Sequence, residues 1–180
     1  MRKVTLFVTL LALVLFNGKV LAFEPNTADE MELNVARAIL DLKIKDSGIQ
    51  RFFDDSAGYA VFPSVGKGGL IIGGAFGRGL VIVDEQVDGF ASLSQATIGL
   101  QLGGQKYSQF IFFKDQTALN HFKRGNFEFG AQASAVAITL GASTDANYDA
   151  GVAVFTIAKG GLMLEGTIGG QRFSYEPKNP

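Results

Sequence analysis

Reactive side chains are scarce in this chain, and the few present do not stand at spacings that make a site. His121 is the only histidine and cysteine is absent. That removes a thiol nucleophile, a disulfide framework and a thiolate metal centre. A Ser-His-Asp arrangement would have to assemble in space, and no Gly-x-Ser-x-Gly turn supports one. Among Asn120, Lys123 and Arg124, the default for His121 is a solvated surface residue. Asp54-Asp55, and Asp84-Glu85 with Asp88, have the residue types for a calcium ion or a paired-carboxylate reaction. Loop solvation and turn formation explain both clusters with fewer requirements. Gly66-Lys67-Gly68-Gly69 imitates a phosphate loop. The Walker pattern, however, needs Gly-x-x-x-x-Gly-Lys-Ser/Thr leading into a helix. Here Val61 or Phe62 stands where the first glycine belongs, Gly68 replaces the hydroxyl residue, and a strand-like run follows. Gly73-Gly74-x-x-Gly77-x-Gly79 has the wrong order for a dinucleotide fingerprint. The expectation is a protein that is not an enzyme, with no catalytic residues, no metal and no cofactor.

The basic residues are better organised. Ala57–Gly77 reads AGYAVFPSVGKGGLIIGGAFG and Ala150–Gly169 reads AGVAVFTIAKGGLMLEGTIG. Skipping one residue after Val65 brings Lys67-Gly68-Gly69-Leu70 onto Lys159-Gly160-Gly161-Leu162. A shorter echo sets Gly103–Ser108 against Gly169–Ser174. Lys67 is thereby equivalent to Lys159, and Lys106 to Arg172. If a pseudo-twofold relates the copies, these four residues converge on one rim. Such a rim attracts phosphate headgroups at about 1 kcal/mol per basic residue near an anionic membrane. The competing explanation is that lysines at turns and strand edges keep a sheet soluble.

Positioning these residues falls to one domain. Arg2 and Lys3, the apolar run Leu6–Phe16 and the ending Val20-Leu21-Ala22 form the pattern of a secretory signal, too short to span a bilayer. Cleavage is expected after Ala22. Residues 1–22 are then a signal peptide and 23–180 a single domain. Without Arg2, Lys3 and Lys19, 13 basic residues stand against 17 acids, a net charge of −4. That argues against bulk nucleic-acid binding, which depends on neutralising phosphates, and leaves room for local basic patches.

Helical and strand periods divide the domain. Thr27-Ala28-Asp29-Glu30 has the form of a capping box, and no Gly or Pro follows until after Lys45. That helix carries two apolar stripes. One is Met31, Val35, Ala38, Ile39 and Leu42; the other is Leu33, Ala36, Leu40 and Ile44. The first covers the core. The second needs a partner: the following segment Ser47–Ser56 with Ile49, Phe52 and Phe53, a membrane surface, or a second copy. From Gly58 the pattern becomes short β-rich runs: 59–62, 70–76, 80–83, 90–93, 97–102, 109–113, 127–129, 135–140, 152–157, 162–167 and 172–175. Asp88-Gly89 and Gly77-Arg78-Gly79 read as turns between them. Asp115–Arg124 reads as one inserted helix with Ala118, Leu119 and Phe122 inward and Gly125 as its stop. The fold class is α+β: N-terminal helices packed on a curled, glycine-rich antiparallel sheet or barrel, with an internal pseudo-repeat.

Phe62-Pro63-Ser64-Val65-Gly66-Lys67-Gly68-Gly69, then Gly73-Gly74-x-x-Gly77-x-Gly79, Gly99–Gln105, and Lys159-Gly160-Gly161-Leu162 with Glu165-Gly166, closely resemble the SYLF domain family, the YSC-type lipid- or actin-binding domain. The resemblance runs from about Met31 to Tyr175. Gly125–Ser134 looks like the exported bacterial branch. What the family implies is phospholipid binding, in eukaryotic members to phosphoinositides, with an N-terminal amphipathic helix contributing. Fungal members bind actin filaments. This chain carries no Src-homology or FYVE module, and an exported bacterial protein meets neither actin nor, ordinarily, phosphoinositides. Some bacterial relatives are lipoproteins, for which this signal lacks the cysteine.

The reading is therefore a non-enzymatic, peripheral phospholipid-binding protein of the periplasm or cell envelope. Its contact residues are Leu33, Leu40, Ile44, Lys43, Lys45, Lys67, Lys106, Lys159 and Arg172, its partner an anionic phospholipid surface. The rivals are a self-associating envelope component, as a homo-oligomer, and a small outer-membrane β-barrel of eight strands.

Overall fold

The computed structural model describes residues 23–69, 72–98, 104–130, 133–160 and 168–178. Residues 1–22, expected to be a signal peptide, and the 162–167 run lie outside the described residues.

α1 spans Glu30–Lys45. Its cap is Asp29, whose carboxylate accepts from Glu32 N at 3.0 Å, so the capping box sits two residues beyond the expected Thr27. The Glu32 carboxylate reaches back to Asn26 N at 2.7 Å. A 3-10 turn at Ser47–Ile49 leads into α2, Gln50–Asp55. The strands are β1 Gly58–Gly69, β2 Ile72–Val83, β3 Gln86–Ile98, β4 Gln105–Phe113, β5 Phe127–Glu128, β6 Val136–Ala137, β7 Val152–Gly160 and β8 Gln171–Pro177. The inserted helix is α3, Gln116–Lys123, capped by Asp115 and followed by Gly125 at φ 81°. Leu119 and Phe122 are its buried side, as its period requires.

These strands form one curled sheet in the order β5-β8-β3-β2-β1-β4-β7-β6. The sheet is mixed rather than wholly antiparallel, because β6 pairs parallel with β7. The two edge strands, β5 and β6, have two residues each, which leaves little edge to pair elsewhere.

The central strands are longer than the sequence suggests, and the reason lies in the glycines. Gly77-Arg78-Gly79 is not a turn but the middle of β2. A Cβ at Gly79 would stand 2.2 Å from Val61 O, so glycine there permits close approach to β1 at its bulge. Asp88-Gly89 is likewise inside β3. The hairpin turns at Asp84-Glu85 instead, both with positive φ (49° and 63°), the pairing of a type I′ turn. Asp88 is the extra residue where Val81 pairs with Gly89 and Ile82 with Val87. It binds Lys123 Nζ at 2.8 Å and accepts from Tyr175 OH at 2.6 Å.

Both faces of the sheet carry a core. Ala60, Phe62, Ile111, Phe113, Val154 and Phe173 face the inside of the curl, where α3 adds Leu119 and Phe122. The inside becomes polar toward one end: Gln109 donates to Gln171 Oε1 at 2.8 Å, and Gln171 donates to the Tyr107 hydroxyl at 3.2 Å. On the outer face, Tyr59, Val61, Leu80, Ile82, Phe110, Phe112 and Phe155 pack under α1 and α2. Alternation between faces thus places α1 over one end of β1 and β2 and α2 over the same end of β4, and leaves the other end of that outer face bare. Ser64, Gly66, Gly74, Phe76 and Lys106 are exposed there.

The repeat is realised inside this one sheet, not as two lobes. β1 and β7 flank β4, both antiparallel to it, and so run in the same direction. A twofold axis normal to the sheet would reverse one of them, so the two copies are not related by such an axis.

Candidate functional site

α1 uses one stripe for the core and leaves the other open. Val35, Ala38, Ile39 and Leu42 are buried under the sheet. Ile49 and Phe52, expected as cover for the second stripe, join that same core instead. The outer stripe remains in water: Leu33 and Ala36 are half-buried, Leu40 is 58% exposed and Ile44 73% exposed. Lys43 lies 4.5 Å above the Phe53 ring, and Lys45 is exposed in the last turn.

The end of this ridge is stiffened by a contact between distant segments. Asp46, 2% exposed, accepts from Ser143 N at 2.7 Å and from Gly48 N at 3.1 Å. Burial by itself would raise its carboxyl pKa. Hydrogen bonds from Ser143, Gly48 and Gly141 outweigh that and hold it below the ordinary value. Arg51 donates to the carbonyls of Ser143 at 2.7 Å, Thr144 at 3.3 Å and Ala146 at 2.5 Å, and stacks on Phe52. The pinned loop carries Leu140, 88% exposed, next to the Gly141 that bonds Asp46. Leu140 therefore belongs to the same end of α1 as Ile44. Sequence reasoning missed it, because a single leucine in a run read as a strand carries no signal of exposure.

The lysines of the repeat gather elsewhere. Lys67, Lys106 and Lys159, with Gly66, Gly104 and Gln105, line a recess of about 480 Å³. Strand pairing sets Lys67 opposite Gln105 and Lys106 opposite Gly66 and Gly160, so Lys106 shares the bare outer face with Gly66 while Lys67 follows Val65 to the other face, and Lys159 lies in the bulge beside Gly160. Burial lowers the pKa of Lys67. Among the described residues no carboxylate makes an ion pair with any of the three.

The candidate residues thus fall in separate places. Lys43 rests on Phe53, and Phe53 on Tyr59 at 5.0 Å, so the end of α1 lies at the start of β1. From Tyr59 to Lys67 at about 3.3 Å per residue is roughly 25 Å along the strand. The stripe and the repeat lysines, expected from the sequence to act together, therefore lie in two separate places. Arg172 joins neither. It lies on β8, with β3, β2 and β1 between it and β4 in the sheet order, and it pairs with Glu128 at 3.0 Å.

The acidic clusters assemble nothing. Asp54 and Asp55 are exposed at the end of α2, and Asp84-Glu85 makes the hairpin turn. Burial raises the Glu85 pKa, and the Lys43 charge offsets part of that. Among the described residues no group of three His, Asp or Glu side chains is placed to hold a metal. His121 is exposed, with its ring edge-on to Phe127 at 5.3 Å.

A family model described as Ysc84, Las17-binding protein actin regulator, matches residues 94–176. These residues include β4, α3 and β7, and so two of the three recess lysines. The chain is also 28% identical over 155 residues to Beta cell expansion factor A of Aeromonas veronii, an alignment covering 83% of this chain and 59% of that protein. The chain thus spans less than two thirds of the length of that relative. The family match agrees with the ordered glycine motifs, and together they make the chain similar to the Ysc84, or SYLF, family over residues 94–176.

Proposed function

We propose that this protein binds phospholipid bilayers peripherally, without catalysis, and does so in the periplasm or cell envelope after export. The reading rests above all on one observation. α1 has filled its core-facing positions and still presents Leu40 and Ile44 to water. A side chain of that size contributes about 1.5–3 kcal/mol when fully buried, against about 1 kcal/mol for a lysine near an anionic surface. The ridge therefore dominates and the basic residues set the preference for anionic lipid. The association of the SYLF family with lipid and actin binding supports the lipid half of this reading; an exported protein has no access to actin. The small membrane-barrel rival fits poorly, because one end of the outer face lies under helices and the other mixes Phe76 and Phe90 with Ser64, Gly66, Arg78, Ser92, Ser94 and Lys106, which is not an apolar belt.

Flotation with anionic liposomes tests it. Leu40→Asp and Ile44→Asp should each abolish most binding while the protein stays folded. Equal binding by wild type and Leu40→Asp removes the helix from the mechanism. Light scattering without lipid separates this from self-association: a ridge that served a second copy would give a dimer that Leu40→Asp dissociates.

A further inference from the structure

We propose that a groove on the outer face of the sheet, beside the first turn of α1, binds a short apolar peptide in extended form, with its C-terminal carboxylate at Arg78 and its N-terminal ammonium at Glu176. The groove has a volume of about 680 Å³, and its lining includes Met31, Arg78, Phe90, Ser92, Ser174 and Glu176. It is neither the α1 ridge nor the lysine recess, and the proposal does not depend on the phospholipid reading.

Three observations carry it. First, the groove holds two opposite charges that do not meet. Among the described residues, neither the Arg78 guanidinium nor the Glu176 carboxylate has an ion-pair or hydrogen-bond partner. Nearby, Arg172 pairs with Glu128 and Lys178 with Glu32. Second, the register fixes the separation of the two free charges. Arg78 pairs with Ser92 and Ser92 with Ser174, while Glu176 lies two residues further along β8, opposite Phe90. Two strand spacings and two residues place the Cα atoms of Arg78 and Glu176 roughly 12 Å apart. Three extended residues span about 10–11 Å, so a tripeptide brings one terminus to each charge. The planar fork of Arg78 matches a terminal carboxylate. Third, what lies between the charges suits the middle of a peptide. Phe90, 44% exposed, and the half-buried Met31 of α1 offer apolar contact to its side chains. The Ser92 and Ser174 hydroxyls meet at 2.6 Å and share one of their two protons. The other proton is free to donate to a peptide carbonyl.

Calorimetric titration of the wild-type protein with trileucine should show one site. Blocking the peptide's carboxylate as an amide, or its amine by acetylation, should each weaken binding about tenfold, as the loss of one charge-assisted hydrogen bond does. Arg78→Gln should bind the acid and the amide alike, and Glu176→Gln should bind the free and the acetylated amine alike. Both side chains are exposed, so both variants should melt like wild type. Phe90→Ser should weaken all three peptides. The proposal is overturned if wild type takes up no trileucine, if it binds the acid and the amide equally, or if Arg78→Gln still prefers the acid. A dimer in light scattering that Arg78→Gln dissociates would give the groove to a second copy and overturn it as well. Leu40→Asp separates this site from the ridge. It should bind trileucine like wild type even where it no longer floats with liposomes, and loss of trileucine binding there would move the peptide to the ridge and overturn the groove.

Discussion

Phe62 and Phe155 hold the same place in the internal repeat and point to opposite faces of one sheet. Phe62 pairs with Gln109 of β4, and Phe155 with its neighbour Phe110. Because side chains alternate along a strand, that one-residue offset exchanges every face. Phe62 packs on Phe173 inside the curl at 5.6 Å, while Phe155 packs on Phe52 of α2 at 4.8 Å on the outside. One sequence pattern thereby serves two different cores.

The offset can be measured. A double-mutant cycle with Phe→Leu changes should give a coupling of about 0.5–1.5 kcal/mol between Phe52 and Phe155, as edge-to-face rings do. Phe52 and Phe62, on opposite faces, should be additive within about 0.5 kcal/mol. Urea unfolding of the single and double variants reads both values.

Glycines that look alike should respond in opposite ways. Gly79→Ala forces a Cβ to 2.2 Å from Val61 O and should destabilise by about 1–3 kcal/mol or more. Gly66→Ala and Gly68→Ala meet open space and should be neutral or stabilising by up to about 1 kcal/mol, since they restrict the unfolded chain. Thermal melts distinguish the two classes.

Asp46 should give the protein an acid limb. Its folded pKa lies below the ordinary value of 3.8, because hydrogen bonds from the 141–143 loop and from Gly48 favour the carboxylate over burial. A depressed carboxyl contributes stability that is fully present above its unfolded pKa. That contribution is lost as pH falls from 3.8 through the folded value. Asp46→Asn should cost about 1–3 kcal/mol at neutral pH and flatten the decline of stability below pH 4. Hydrogen exchange at Ser143 N, which donates to Asp46, should speed up in that variant.

Leu140 should extend the α1 ridge. Being 88% exposed, it can become serine with a stability change within about 0.5 kcal/mol. Vesicle partitioning should fall up to about tenfold, the loss of one partly inserted leucine. Unchanged flotation by Leu140→Ser would confine the contact to α1 itself.

The local elements were largely legible in the residues. α1 follows from an uninterrupted run with two apolar stripes, and α3 from Asp115, the Leu119/Phe122 spacing and Gly125. Turn chemistry misled where glycine had another purpose. Gly77, Gly79 and Gly89 read as turn residues, yet they lie inside strands because a neighbouring backbone or ring occupies the space of a side chain. A local pattern cannot distinguish a glycine needed for its φ from one needed for its missing Cβ.

The sequence alone determined the α+β class, the amphipathic first helix, the scarcity of reactive groups and the pairing of Lys67 with Lys159 in the repeat. These depend on residue type and short-range period. Only the tertiary structure decided that both copies flank β4, that Lys106 lines a recess with Lys67 and Lys159 while Arg172 turns to Glu128, and that Ile44 and Leu140 both meet water. Each of these depends on strand order and on a register set to the single residue. That register is a balance struck by two cores packed on opposite faces of the same sheet, and a one-dimensional pattern does not contain it.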